Sequence, residues 1–278
     1  MKKIIAAIDG LKYAESTTQY AAQLTREING HLVGVFNEDI NYHSFTVYDL
    51  AFENAPVEDD PDELSERDRI TKKQSVASFM ETCRLAKINS SVHQGNKEAL
   101  LQLLHESIYA DLLVINKHET FSRFEQDVPT SFVRNLLENS ECPVLVVPRE
   151  FENIEKIILL YDGGPSSVYA IKMFSYLLAP FKKMPVEVLS IKPDDQDLHL
   201  PENRLMKEFM KRHFPDASYK VIPGEPAVEI VKYLKNRHQD ELIVLGAYHR
   251  SMVSRWFKIS MADTLMTELK TPLFIAHR

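Results

Sequence analysis

The chain repeats itself, and that repeat limits its fold more than any other feature. The segment IIAAIDGLKYAESTTQYAAQL (4–24) has a counterpart in IILLYDGGPSSVYAIKMFSYL (157–177). Each reads as an apolar strand, an Asp-Gly turn and a helix, and Asp9 and Asp162 lie 153 residues apart. Two later blocks share a second spacing. GNKEALLQLLHESIYADLLVIN (95–116) answers GEPAVEIVKYLKNRHQDELIVLG (224–246), and SFVRNLLENSECPVLVVPR (131–149) answers SMADTLMTELKTPLFIAHR (260–278). Gly95 and Gly224, Ser131 and Ser260, and Pro143 and Pro272 are all 129 residues apart. A fixed spacing over successive blocks marks two copies of one folding unit. The expected boundaries are 1–149 and 150–278, with extra material in the first copy at 37–75.

Within each copy, short apolar runs alternate with longer amphipathic ones. Strands are expected near 2–8, 31–36, 88–93, 111–116 and 143–147, and near 155–161, 185–191, 218–222, 241–245 and 272–276. Helices are expected near 13–29, 62–86, 96–108 and 130–139, and near 166–179, 201–213, 226–238 and 259–269. Runs such as DLLVI and ELIVL are apolar on both faces, as a parallel strand covered on two sides requires. Such alternation gives an α/β doubly wound sheet with right-handed crossovers. Ligands then bind beyond the carboxyl ends of the strands, where strand order reverses.

Composition removes several functions. The net charge of −7 argues against a nucleic-acid partner, whose phosphates call for a basic face. No run approaches the length of a membrane helix, and residues 4–8 are too short for a signal-peptide core. A cytoplasmic protein is therefore expected, with no membrane partner. Cys83 and Cys142 form no CxxC pair and read as two buried thiols. No metal is expected: the acidic tract at 58–62 lacks calcium-loop spacing, and His199 with Asp194, Asp195 and Asp197 matches no ligand set. GxSxG and HExxH are both absent.

Taken in order, each copy has a strand ending in Asp, a helix opened after Gly, an (A/D)-(D/E)-L-(I/L)-V strand, and Ser, a helix and C/T-P-(V/L)-x-(V/I). This pattern resembles the universal stress protein family over nearly the whole chain except 37–75. The resemblance implies two flavodoxin-like, adenine nucleotide α-hydrolase-like domains, each with a five-stranded parallel sheet. It also implies an internal pseudo-dimer in which 143–147 and 272–276 lie side by side, covering two exposed edges. A monomer would then suffice, and a further homodimer is equally compatible.

One branch of the family resembles an ATP binder with the pattern G-x2-G-x9-G-(S/T). Its glycines let phosphates approach the backbone, and loop and helix amides donate to them. In the second copy these positions are Gly246, His249 and Ile259, followed by Ser260. In the first they are Asn116, Glu119 and Thr130, followed by Ser131. Only one glycine survives, and Glu119 would set a negative charge beside phosphates. None of the eight glycines lies three residues from another.

The resemblance thus leaves Asp162, Gly246, His249, Arg250, Ser251 and Ser260 as a reduced site for ATP or AMP, and Asp9 and Ser131 as a weaker one. The plainer reading is that Ser131 and Ser260 are helix N-caps and that Asp9 and Asp162 form turns. Trp256 and Phe257 are candidates for contact with a protein partner, or for packing. Two functions follow: a non-catalytic stress-response adaptor that binds other proteins, or an ATP/AMP switch in the second copy, with or without slow hydrolysis. An enzyme using an Asp as base is a third, for which nothing names a substrate.

Overall fold

In the computed structural model, the described residues are 1–37, 61–95, 98–193, 198–235, 237, 240–247 and 259–277. The first half runs β1 (Lys3–Asp9), α1 (Glu15–Glu27), β2 (His31–Asn37), α2 (Pro61–Leu85), β3 (Asn89–Gln94), α3 (Ala99–Ser107), β4 (Leu112–Asn116), α4 (Ser131–Asn139) and β5 (Val144–Val147). The second runs β6 (Lys156–Leu160), α5 (Pro165–Leu177), β7 (Val186–Lys192), α6 (Asn203–His213), β8 (Ser218–Pro223), α7 (Pro226–Lys235), β9 (Glu241–Gly246), α8 (Ile259–Glu268) and β10 (Leu273–Ala276). A short 3-10 turn at Ala179–Lys183, which the pattern of apolar residues did not announce, follows α5.

All ten strands form one sheet in the order β3-β2-β1-β4-β5-β10-β9-β6-β7-β8. Each half is parallel throughout, in the doubly wound order 3-2-1-4-5. The halves meet antiparallel through β5 and β10, with Leu145 opposite Phe274. This is the pairing of last strands expected from the resemblance. Central strands β4 and β9 are buried along their whole length, which explains their unbroken apolar sequences. The outer strands are β3 (NSSVHQ) and β8 (SYKVIP). Polar and charged side chains there discourage pairing with another sheet edge.

Side chains reinforce the seam. Lys117 Nζ donates to the carbonyls of Met266 and Leu269 at the end of α8, each at 2.8 Å. Lys2 Nζ does the same for Tyr176 and Leu177 at the end of α5. A cation suits a helix C-terminus, where carbonyls lack intrahelical partners. Arg134 Nε meets Asp263 Oδ2 at 3.0 Å. These two residues occupy equivalent repeat positions, 129 apart. A symmetric dimer would set two identical side chains there, whereas one fused chain can carry opposite charges.

Candidate nucleotide crevices

Both halves form a crevice where strand order reverses, at the ends of β1 and β4 and at the ends of β6 and β9. The helices that follow these strands lie on opposite faces of the sheet, which opens the crevice.

In the first crevice Asp9 is fully buried, and its Oδ1 accepts the Leu11 amide at 2.8 Å and the Lys12 amide at 3.3 Å. Asn116 stands where the family pattern has its first glycine. Its Nδ2 donates to Ser16 Oγ and to the Pro148 carbonyl, both at 3.1 Å, and its Oδ1 accepts the His118 amide at 3.0 Å. Glu119 stands at the second glycine position. Its Oε1 accepts the amides of Thr120 at 3.0 Å and Phe121 at 3.1 Å. The carboxylate therefore lies in its own loop, taking amides of the kind that would otherwise serve an oxyanion.

Thr130, at the third glycine position, donates its hydroxyl to the Glu119 carbonyl and accepts the Val133 amide at 3.2 Å. Thr130 is thus the N-cap of α4, and the assignment of Ser131 as cap is corrected. Thr130 has the extended backbone a cap needs, while Ser131 is already the first helical residue. The Ser131 amide and hydroxyl both go to Gln126 Oε1, at 2.9 and 2.8 Å. Lys12 Nζ ties the β1–α1 turn across the crevice to the carbonyls of Ser122 at 2.6 Å and Arg123 at 2.9 Å.

What stays open is a cleft of about 320 Å³, bordered by Tyr13, His118, Glu125, Gln126 and Arg149 among others. Burial, and then the negative charge of Asp9, pushes the Glu119 carboxyl up to about 7. Burial, followed by the cations Arg149 and Lys117, lowers His118 to about 4. The His118 imidazole is therefore neutral near pH 7 and offers no charge to a phosphate.

The described part of the second crevice is built differently. Asp162 is buried; its Oδ1 accepts the Gly164 amide at 2.8 Å and the Ser167 hydroxyl at 2.6 Å. Helix α5 starts at Pro165, three residues after Asp162, whereas α1 starts six residues after Asp9. The two helices are thus offset by 150 residues rather than the 153 that relates the aspartates. The shorter turn draws α5 against β9. A Cβ placed on Gly246 would lie 2.3 Å from the Ser166 carbonyl oxygen and 2.9 Å from the Ser167 nitrogen. The close neighbour that excludes a side chain at Gly246 is the protein's own backbone. A further segment crosses above: Tyr161 donates its hydroxyl to the Pro201 carbonyl at 3.0 Å. Gly163 holds φ at 81°, and a Cβ there would come 2.6 Å from Pro201 Cβ.

His249, Arg250, Ser251, Trp256 and Phe257 lie outside the described residues, as do Asp194, Asp195, Asp197 and the tract at 58–60. Helix α8 begins at Ile259, so Ser260 is its second residue and the expectation of a cap there is also corrected. Among the described residues no three His, Cys, Asp or Glu side chains gather as metal ligands. No helix among them is long and apolar enough to cross a membrane. Sequence reasoning singled out Glu119 as a repulsive charge but not as a ligand of its own loop. It also missed the amide of Asn116, whose only signal was a polar side chain ending an apolar strand.

Comparison with known proteins agrees with this architecture. A universal stress protein of Synechocystis sp. is 21% identical over 269 residues, covering 91% of this chain and 92% of that protein. The crystal structure of a universal stress protein from Archaeoglobus fulgidus matches with a TM-score of 0.70 at 12% identity, over 99% of this chain and 98% of that one. The cytoplasmic domain of a prokaryotic cation chloride cotransporter shares the fold at a TM-score of 0.55 and 11% identity, covering 99% and 94% of the two chains. The family model of the universal stress proteins matches residues 1–148. The chain belongs to the universal stress protein family.

Proposed function

We propose that the protein is a non-catalytic stress-response adaptor whose nucleotide crevices have become structural joints. The observation that carries this reading is Glu119. A carboxyl group buried at the phosphate-loop position and hydrogen-bonded to two of that loop's amides competes directly with an oxyanion ligand. Asn116 and Thr130 add to the same effect, since neither leaves the close approach that glycine would. The Oδ1 atoms of Asp9 and Asp162 hold the turns that follow β1 and β6. In one neighbour the same fold is the cytoplasmic domain of a cotransporter, a setting in keeping with a module that works through other proteins.

An ATP/AMP switch in the second half is the alternative, favoured by the retention of Gly246 and Asp162 at the family positions. The two readings separate on thermal unfolding of the purified chain with millimolar ATP or AMP and magnesium. The adaptor predicts an unchanged midpoint and no phosphate release. A midpoint that climbs with nucleotide concentration would overturn it, because a ligand bound by the folded state alone stabilises by mass action.

A further inference from the structure

The loop between β4 and α4, residues 117–130, is held in a conformation that its sequence would not adopt alone. Phe121 has φ at 49°, in the left-handed region where a bulky side chain is rare and strained. The residue is buried, and its ring centre lies 4.5 Å from that of Phe132 on α4. Strain of this kind persists only where the surroundings over-determine it. Here the determining group is Glu119. Its Oε1 accepts the Phe121 amide as well as that of Thr120, and its carbonyl accepts the hydroxyl of Thr130, the cap of α4. The other tether, Lys12 Nζ on the carbonyls of Ser122 and Arg123, is exposed, so water replaces it at little cost.

Two buried carboxyl groups share this crevice. Asp9 is fully buried at the end of β1, and its negative charge opposes ionisation of Glu119. The titratable groups around Glu119 are Asp9, Lys12, Glu15, His118, Glu125 and Arg149; Asp9 acts on it most, and Lys12 offsets Asp9 only in part. The amides of Thr120 and Phe121 favour the charged form, but by less than burial and Asp9 disfavour it. Glu119 also borders the open cleft of about 320 Å³, so its proton can exchange with water.

From this geometry we infer that residues 117–130 form a proton-gated latch, shut while the Glu119 carboxyl is neutral and released when it is charged. In the shut form nothing conflicts with Asp9, and Oε1 holds both amides. On ionisation two like charges share a site poor in water, and the Glu119 side chain turns into the cleft to be hydrated. The Phe121 amide then loses its acceptor, its left-handed backbone relaxes and its ring leaves Phe132. Between the ordinary 4.5 and about 7 the shut form holds a proton that the released form gives up. The latch is therefore fully favoured below pH 4.5, and its hold is lost as pH rises through about 7.

Phe124, Glu125 and Gln126 carry this loop along the rim of the cleft, so release changes the surface that the first half offers to a protein. The latch goes beyond the adaptor reading. It concerns the motion of one loop whether or not a nucleotide binds, so either can fail alone.

The test is hydrogen exchange of the full chain at pH 6 and pH 8, read by mass spectrometry and corrected for the intrinsic exchange rate. From pH 6 to pH 8 the opening constant of the amides at 119–123 is expected to rise roughly tenfold. It is also expected to exceed that of the β4 amides at both values, because the loop opens without the sheet. The Glu119→Gln variant should keep at pH 8 the protection that the parent has at pH 6. Asp9→Asn, which removes the opposing charge, should shrink the rise. Equal opening at the two pH values, loop amides that exchange only together with β4, or a rise that persists in full in both variants overturns the inference.

Discussion

Asp9 ends β1 and Asp162 follows the equivalent β6, yet the chain beyond them takes different courses. In the first half five residues separate Asp9 from α1, and the gap this leaves beside β4 is filled by the Asn116 side chain, hydrogen-bonded to Ser16. In the second half only two residues separate Asp162 from α5, and the helix backbone itself fills the gap, which only Gly246 permits. Asn116 and Gly246 are therefore alternative solutions to one packing problem. A glycine kept at a ligand-binding position is not evidence of a ligand when the backbone of the same chain already presses against it.

The largest expected effect tests that equivalence directly. Gly246→Ala forces a methyl into the Ser166 carbonyl, and over-packing against backbone should cost about 3 kcal/mol of stability. Denaturant unfolding measures it; a loss under about 1 kcal/mol would mean that α5 can slide away, and that the crevice is not a fixed joint.

Glu119 provides the next. Folding raises its pKa from 4.5 to about 7, so the folded state holds a proton there that the unfolded state has released. The associated stability is fully present below pH 4.5 and is lost as pH rises through about 7. From the size of that shift, Glu119→Gln should flatten this decline and gain on the order of 2–3 kcal/mol relative to the parent at pH 8. Parallel pH profiles for the two proteins would show that the carboxyl is not confined as described.

Asn116→Gly removes the filler without bringing α1 closer. It should cost about 2 kcal/mol, from the hydrogen bonds lost and the partners left unpaired. If it were neutral, as read by thermal melts, the distinction between the two crevices would collapse. The smallest effect belongs to the seam. Arg134→Ala should cost roughly 0.5 kcal/mol, since the pair is partly exposed. Charge reversal at both positions, Arg134→Asp with Asp263→Arg, should restore most of it.

Much of this was legible in the residues. Strands β4 and β9 announce themselves because an unbroken apolar run suits only a strand buried on both faces, and the repeat spacing carries the assignment from one half to the other. The three-residue shift between α1 and α5 was not legible. Residues 4–24 and 157–177 align without a gap, and which residue starts a helix is decided by packing against β4 or β9. The capping of α4 escaped for a related reason: Thr130 and Ser131 both carry a hydroxyl suited to the task, and only backbone geometry separates them. The self-ligation of Glu119 depends on a loop conformation that no local pattern encodes.

The proposed adaptor function requires that neither crevice hold a nucleotide. Calorimetric titration of nucleotide-stripped protein with ATP and AMP, with and without magnesium, tests it most directly, alongside an Asp162→Ala variant. The account predicts no saturable heat at millimolar ligand for either protein. Saturable binding at one site per chain, abolished by Asp162→Ala, would contradict it and make the second half a nucleotide switch.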